Sequence, residues 1–325
     1  MEDKIITLFY FTMLKVIYPI VIILISLINI TVNAQNDYPV KVAKLHEEGS
    51  PGLEAIRKDF KAKNPGHDLF YFPATKQVPS HDHTQVLFVQ QGGGTATITD
   101  NQGAKKSSKV SIGDILWLQE GETMEADSLL GLLAFILPDK PENVIPSFIR
   151  PDWDEKNTDT PGGCATETNA YRRILLTWSE NVGNYIYHSI NAHRVRIRDS
   201  FSHYHPIDKG FDEFYLVQMV LPGAKLFTSD KIDQISDPDA INKEQIDDLI
   251  KEHSLNVGDL IYLPRGVMHR GFGGVLAQVI AVPGFIPGSE IGVDHFLKRI
   301  NEKLGLNGST SLPFNKQASA YQVIR

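Results

Sequence analysis

Cysteine is nearly absent: Cys164 is the only one in 325 residues. A lone thiol cannot close an internal disulfide, so the fold must be held together by burial alone. Cys164 sits in a Pro-Gly-Gly-rich connector with no base beside it, which argues against a nucleophilic role. An excess of positive charge is missing as well. The 32 Lys and Arg against 39 Asp and Glu give a formal net charge of -7 and a pI of about 5.9. No basic face is available for nucleic acid, which is excluded as a partner. Hydrophobic residues make up 42% of the chain, enough to build cores and to argue against disorder away from the ends.

One long apolar run, residues 16–30, stands apart from the rest. Met13-Leu14-Lys15 precedes it, and Val32-Asn33-Ala34 supplies small or aliphatic residues at the two cleavage-site positions. Residues 1–34 therefore read as a secretory signal peptide cut before Gln35, leaving a secreted or periplasmic chain with no membrane partner. Glu2 and Asp3 do not suit a positive leader, which makes Met13 a candidate start; an uncleaved anchor is the competing reading. No cysteine closely follows the run, so lipid attachment there is excluded.

Beyond it, residues 35–67 read as a helical extension, amphipathic around Leu53, Ile56 and Phe60 with Ser50-Pro51 as a start signal. From Asp68 the pattern becomes short β-type runs broken by Gly, Pro and Asn. Many short strands without alternating helices predict an all-β sandwich or barrel. Residues 139–170, with Pro141, Pro146, Pro151, Pro161, Gly162 and Gly163, have linker composition, and the β pattern then resumes. A short surface helix is expected within 230–253 around Ile241, Ile246, Leu249 and Ile250. Another is expected at 293–304 with Phe296, Leu297 and Ile300 on one face, and the tail past Gly305 is expected to be loosely held.

Chemistry concentrates in Ser202-His203-Tyr204-His205 and in Pro264-Arg265-Gly266-Val267-Met268-His269. Imidazoles at i and i+2 on a strand point to one face. Asp212-Glu213 opens the strongly β-forming Phe214-Tyr215-Leu216-Val217. Three neutral imidazoles and one carboxylate make a metal site from side chains alone. The first β half carries an echo: His81-Asp82-His83-Thr84-Gln85, then Gly113-Asp114-Ile115-Leu116-Trp117-Leu118 and Met124, matching Gly258-Asp259 and the final site position. That is an internal duplication.

On these motifs the chain resembles the cupin superfamily, specifically a bicupin of two tandem RmlC-like jelly-roll barrels. His203, His205 and Glu213 match the first motif; Gly258, Pro264, Gly266 and His269 match the second. The resemblance implies a degenerate first barrel over 68–138, a metal-binding second barrel over 171–287, and a C-terminal helix and tail over 288–325. It departs from the pattern in the longer gap between His205 and Glu213, which keeps Asp212 and Asp208 open as alternative carboxylates. Ile197 stands where the first motif usually opens with glycine, and the second motif's closing asparagine is replaced near Gly273. In the first barrel Gln85 and Met124 replace a carboxylate and a histidine, so that barrel is expected to be metal-free despite His81 and His83.

Four protein ligands would fill a tetrahedral ion such as Zn but leave an octahedral ion two adjacent positions for water, dioxygen or a chelating substrate. A catalytic reading thus favours Mn or Fe, with Ni, Cu or Zn as alternatives. Arg265, Arg270 and Tyr204 are the candidates for work on a ligand, the arginines because a guanidinium grips a carboxylate bidentately. Strand parity sends Arg194, Arg196 and Arg198 outward, to solvent or a subunit contact in a homo-oligomer. Tyr215 reads as core packing, with a place in the pocket wall as the alternative, and His46, His67, His188, His193, His253 and His295 as polar or capping residues. The functional expectation is a metal-dependent enzyme, dioxygenase-like or decarboxylase-like, on a small oxygenated or carboxylate molecule. The alternative is a cupin that binds a sugar, a carboxylate or a metal without turnover.

Overall fold

The computed structural model describes residues 38–157, 159 and 171–325. Residues 40–325 form one compact unit. The signal-peptide reading and Cys164 lie outside the described residues. No helix among the described residues is long and apolar enough to cross a membrane.

The chain is all-β with short helices. In order it runs β1 (Lys41–Lys44), α1 (Leu53–Lys63), β2 (Asp68–Val78), β3 (Thr84–Gln91), β4 (Gly93–Thr99), β5 (Lys105–Ser111), β6 (Ile115–Leu118), β7 (Thr123–Leu137) and β8 (Phe148–Ile149). After the undescribed stretch come β9 (Arg172–Leu176), β10 (Asn191–Asp199), β11 (His203–Tyr204), β12 (Asp212–Val220) and β13 (Lys225–Ser229). The rest is α2 (Ile232–Ile235), a 3-10 turn (Lys243–Asp248), β14 (Lys251–Ser254), β15 (Asp259–Leu263), β16 (Met268–Val282), β17 (Ile291–Gly292), α3 (Asp294–Leu304) and a closing 3-10 turn (Gly308–Thr310). Strands β2 to β8 make a seven-stranded sheet; β9 to β17, joined by β1, make a ten-stranded one. The fifteen-residue β16 pairs with β11 and β13 near its start and with β10 and β12 along the rest. One strand shared by two sets of partners bends the sheet around an interior.

The duplication is visible at atomic detail. Gly113 and Gly258 both have positive φ, 98° and 91°, a conformation that glycine adopts without Cβ strain. Each following aspartate caps its own turn: Asp114 accepts from the Ser111 amide at 2.8 Å and Asp259 from the Asn256 amide at 2.9 Å. Both glycine amides donate to the strand ahead, Gly113 to Val89 and Gly258 to Val217, each at 3.0 Å.

The strands alternate faces, and both faces are covered. In β12 the odd residues point into the second sheet's interior, while Phe214 and Leu216 join an apolar core with Val86, Phe88, Trp117 and Phe135 of the first sheet. Helix α1 is wedged into this core. Phe60 meets Phe135, Phe214 and Tyr262 edge-on at 5.8, 5.2 and 6.4 Å, contacts that add about 0.5–1.5 kcal/mol each beyond burial. Polar groups cross the same interface: Gln90 donates to the Val217 carbonyl at 2.7 Å and Gln278 to the Gly113 carbonyl at 2.8 Å.

Four expectations change here. Residues 41–44 form a strand ahead of the helix, because Lys41-Val42-Ala43-Lys44 finds an open edge on β15. The 230–253 segment breaks into α2, the 3-10 turn and β14, since β14 completes a ladder with β13. Arg194 does face away from the second sheet's interior, yet it is buried, because the first half covers it. It bonds Gln218 at 2.9 Å and Asp152 at 2.6 Å, while Arg196 and Arg198 remain exposed. The tail is not loose: Asn315 accepts from the Gln317 and Ala318 amides and donates to the Asp199 carbonyl, and Leu312 and Ala318 are buried.

Asp68 ties α1 to the first sheet, accepting from Arg57 Nε at 2.7 Å, Arg57 Nη2 at 2.8 Å and Lys61 Nζ at 2.6 Å. Burial pushes its carboxyl up, but these partners outweigh burial and hold it at about 2. A depressed carboxyl stabilises the fold above its unfolded value of 3.8, and that contribution fades as pH falls through about 2. Asp68→Asn should cost about 1–2 kcal/mol at neutral pH and flatten the acid limb of urea-melt stability between about pH 4 and about pH 2.

Candidate metal centre

His203 on β11 pairs in register with His269 on β16, and Glu213 enters from β12. His205 follows β11 directly and shares the inward face with His203. The ligating atoms of His203, His205, Glu213 and His269 all lie within 4.8 Å of one another, and all four residues are buried. Glu213 Oε1 is 3.3 Å from His269 Nε2, and its Oε2 is 3.8 Å from His205 Nε2.

Backbone carbonyls fix each ring. His203 Nδ1 donates to Phe201 at 3.1 Å, His205 Nδ1 to Phe211 at 3.1 Å, and His269 Nδ1 to Val267 at 3.3 Å. A carbonyl only accepts, so Nδ1 carries the proton and each Nε2 presents its lone pair. Those three Nε2 atoms are buried without a hydrogen-bond partner. Phe201 stacks on His203 at 4.2 Å and Phe211 on His205 at 3.8 Å, locking the orientations. Burial, then the neighbouring imidazoles, drives His203 and His205 well below their ordinary value, so both are neutral. Three buried lone pairs converging on a carboxylate are costly without a partner, and a divalent cation satisfies all of them. The donor set fits such an ion.

The gap between His205 and Glu213 is a looped excursion. Lys209 has a positive φ of 61°, and a Cβ on Gly210 would collide with the Pro206 backbone. Asp208 is exposed at its tip. Asp212 points the opposite way from Glu213, accepting from Asn64 at 2.6 Å, Tyr262 at 2.8 Å, and the Arg265 amide and Nε at 2.9 and 3.0 Å. It fastens α1 to the barrel mouth, and Arg265 is used up in that contact, with a further bond to Asn64 at 2.6 Å. Arg270 also faces away, bonded to the Ser200 carbonyl at 3.0 Å and to Asp199, and packed over Phe227 and Phe272. Tyr204 packs against the apolar cluster of α2 and α3. None of these three is brought together with the four clustered side chains.

Other polar side chains are. His193, expected as a polar or capping residue, is half-buried beside Arg172 with its Nδ1 shut away from solvent, because odd positions of β10 face the interior. Arg172 sits across from Val195 on that face. Glu290 is buried with Oε2 lacking a hydrogen-bond partner, and it feels Glu213, Arg172, His269 and Arg325. Burial and Glu213 raise its carboxyl to about 7. Sequence gave no signal for Glu290 or Arg325, which are brought to the site by a two-residue strand and a tail bridge.

In the first sheet, Met124 and its neighbours Leu87, Leu116 and Leu132 fill the interior with apolar side chains. Gln85 is spent on the Pro79 carbonyl at 3.0 Å. His81, Asp82 and His83 cluster outside, both imidazoles 2.9 Å from the same Asp82 oxygen.

No family model matches the chain, and no curated protein matches it in sequence. Among solved structures, a variant of oxalate decarboxylase from Bacillus subtilis aligns at 13% identity and TM-score 0.42, covering 78% of this chain and 76% of that one. The formate complex of Lactobacillus farciminis oxalate decarboxylase aligns at 18% identity and TM-score 0.40, covering 78% and 85%. These scores are too low to assign a family or an activity.

Equilibrium dialysis of the purified chain should find one tightly held dication. His269→Ala should weaken it by about 100-fold or more, measured by elemental analysis after dialysis.

Proposed function

We propose that this chain is an exported bicupin, with barrels over residues 68–138 and 171–287, that uses one dication held by His203, His205, Glu213 and His269 to act on a small oxygenated carboxylate. The observation that carries the reading is the convergence of three buried, unpartnered Nε2 atoms on Glu213. A dioxygenase-like or decarboxylase-like reaction suits it best. Four protein ligands leave an octahedral ion two places for a ligand and a tetrahedral one none, so Mn or Fe is favoured over Zn, with Ni and Cu also compatible. When bound, the ion supplies Lewis acidity toward a ligand oxygen.

The chain's own residues do the rest. The Nδ1 bonds to backbone carbonyls keep each imidazole in the ligating tautomer and aim it, a role that outer partners of metal-binding histidines commonly serve. Phe201 and Phe211 shield two of the rings. Tyr215, edge-on to His269 at 6.2 Å, closes the floor of the site. The first barrel serves as a structural partner, its outer face completing the apolar core behind Phe214.

Mature protein loaded with Mn(II) or Fe(II) should release carbon dioxide from, or consume oxygen with, at least one member of a panel of small carboxylates and phenolic acids. That turnover should fall by about 100-fold or more in His269→Ala. Full metal content with neither gas signal across the panel would overturn the enzyme reading in favour of a binding protein.

A further inference from the structure

The site has a second polar centre beside the four clustered side chains. Strand β17 pairs with β11 so that His203 faces Gly292 and Tyr204 faces Ile291. Two residues before Gly292, Glu290 falls on the same inward face by strand alternation. On its other side Glu290 exchanges both backbone hydrogen bonds with Arg325, at 2.9 and 3.1 Å, next to the Ile291–Ile324 bridge. Residues directly opposite in antiparallel pairs share a face. Glu290 and Arg325 therefore lie side by side on the inward side, and Glu290 feels Glu213 and His269. Gly292 leaves the neighbouring position without a side chain, and a Cβ there would meet the Val323 carbonyl and Phe201. The Arg325 guanidinium lies 5.2 Å from the Phe201 ring that stacks on His203.

Charge and hydrogen bonding then define what is missing. Two arginines, Arg172 and Arg325, interact with Glu290, and a second carboxylate, Glu213, lies close enough to act on it. These four balance, Arg265 is matched by Asp212 and Arg270 by Asp199, and the buried Asp294, which accepts from the Ser202 amide beside His203, is left over. A dication would thus arrive in a buried space with one of its charges uncompensated, a state that low-dielectric surroundings penalise heavily. An anionic ligand removes that penalty. Separately, Glu290 Oε2 is a buried acceptor with no donor, which calls for a ligand hydroxyl.

We propose that Glu290 and Arg325 recognise the part of the ligand that extends beyond the cation, and that this ligand is a small hydroxycarboxylate. Arg325 pairs with its negative charge, and Glu290 accepts its hydroxyl proton in a hydrogen bond. The inference rests on the metal reading above and adds to it the ligand class and two specificity residues, one of them supplied by the C-terminal tail.

The test uses the full chain loaded with Mn(II) and titrated calorimetrically with glycolate and with acetate. Wild type should prefer glycolate by about tenfold or more. Glu290→Leu should abolish its excess preference over that of free Mn(II), while Glu290→Gln, which keeps an acceptor oxygen, retains most of it. Arg325→Gln should weaken both anions by about tenfold with Mn(II) content unchanged. Full Mn(II) content with wild-type selectivity in Glu290→Leu and wild-type affinity in Arg325→Gln would overturn this inference alone. A wild-type chain that holds no Mn(II), Fe(II) or other dication would overturn the metal reading and this inference with it.

Discussion

Each strand that carries a clustered histidine or Glu213 is covered on both faces, and side-chain alternation gives one face to the site and the other to an apolar cluster. In β12, Glu213 turns inward while Phe214 enters the core shared with the first sheet. In β16, His269 turns inward while Met268 packs with α3, and Tyr204 joins the same cluster beside His203. A shift of one residue in any of these registers would trade a site residue for a core residue. The apolar clusters therefore fix the register, and the register fixes the site.

Within that frame the second determinant is what the imidazoles cannot reach. Each Nδ1 is tied to a carbonyl of its own or an adjoining segment, two to six residues away. The hydrogen-bonding capacity left over is all inward, on Nε2. The same holds for Glu290, whose outer oxygen finds no donor in the surrounding protein. Interior polar atoms left in this state are rare in folded proteins and concentrate where a ligand completes them.

How much of this was readable beforehand depended on range. His203 and His205 were legible because i, i+2 spacing needs only a strand, and His269 because its glycine-proline setting is local. The sheet class followed from short β-type runs, and the duplication from the paired Gly-Asp turns. What failed to show were contacts set by distant partners. Arg265 lies four residues from His269 yet is claimed by Asp212 and Asn64, and Arg270 adjoins it yet points away by parity. Arg194 obeyed the alternation rule, but only the folded first half revealed that its outward face is covered. Glu290 and Arg325 come from a two-residue strand and a bridge, elements too short to leave a periodic trace. Lys41–Lys44 was hidden for the same reason, since its strand character comes from its partner.

That partner has a consequence for how the molecule is made. β1 belongs to the sheet of the second half, although all of the first half's strands lie between it and β15 in the chain. It caps a backbone edge that would otherwise be open to another polypeptide. The two halves are therefore not beads on a string: during ribosomal synthesis an early tetrapeptide must wait for residues more than two hundred positions later before its hydrogen bonds can close. A recombinant fragment starting at the connector would lack that cap and expose the rim of β15.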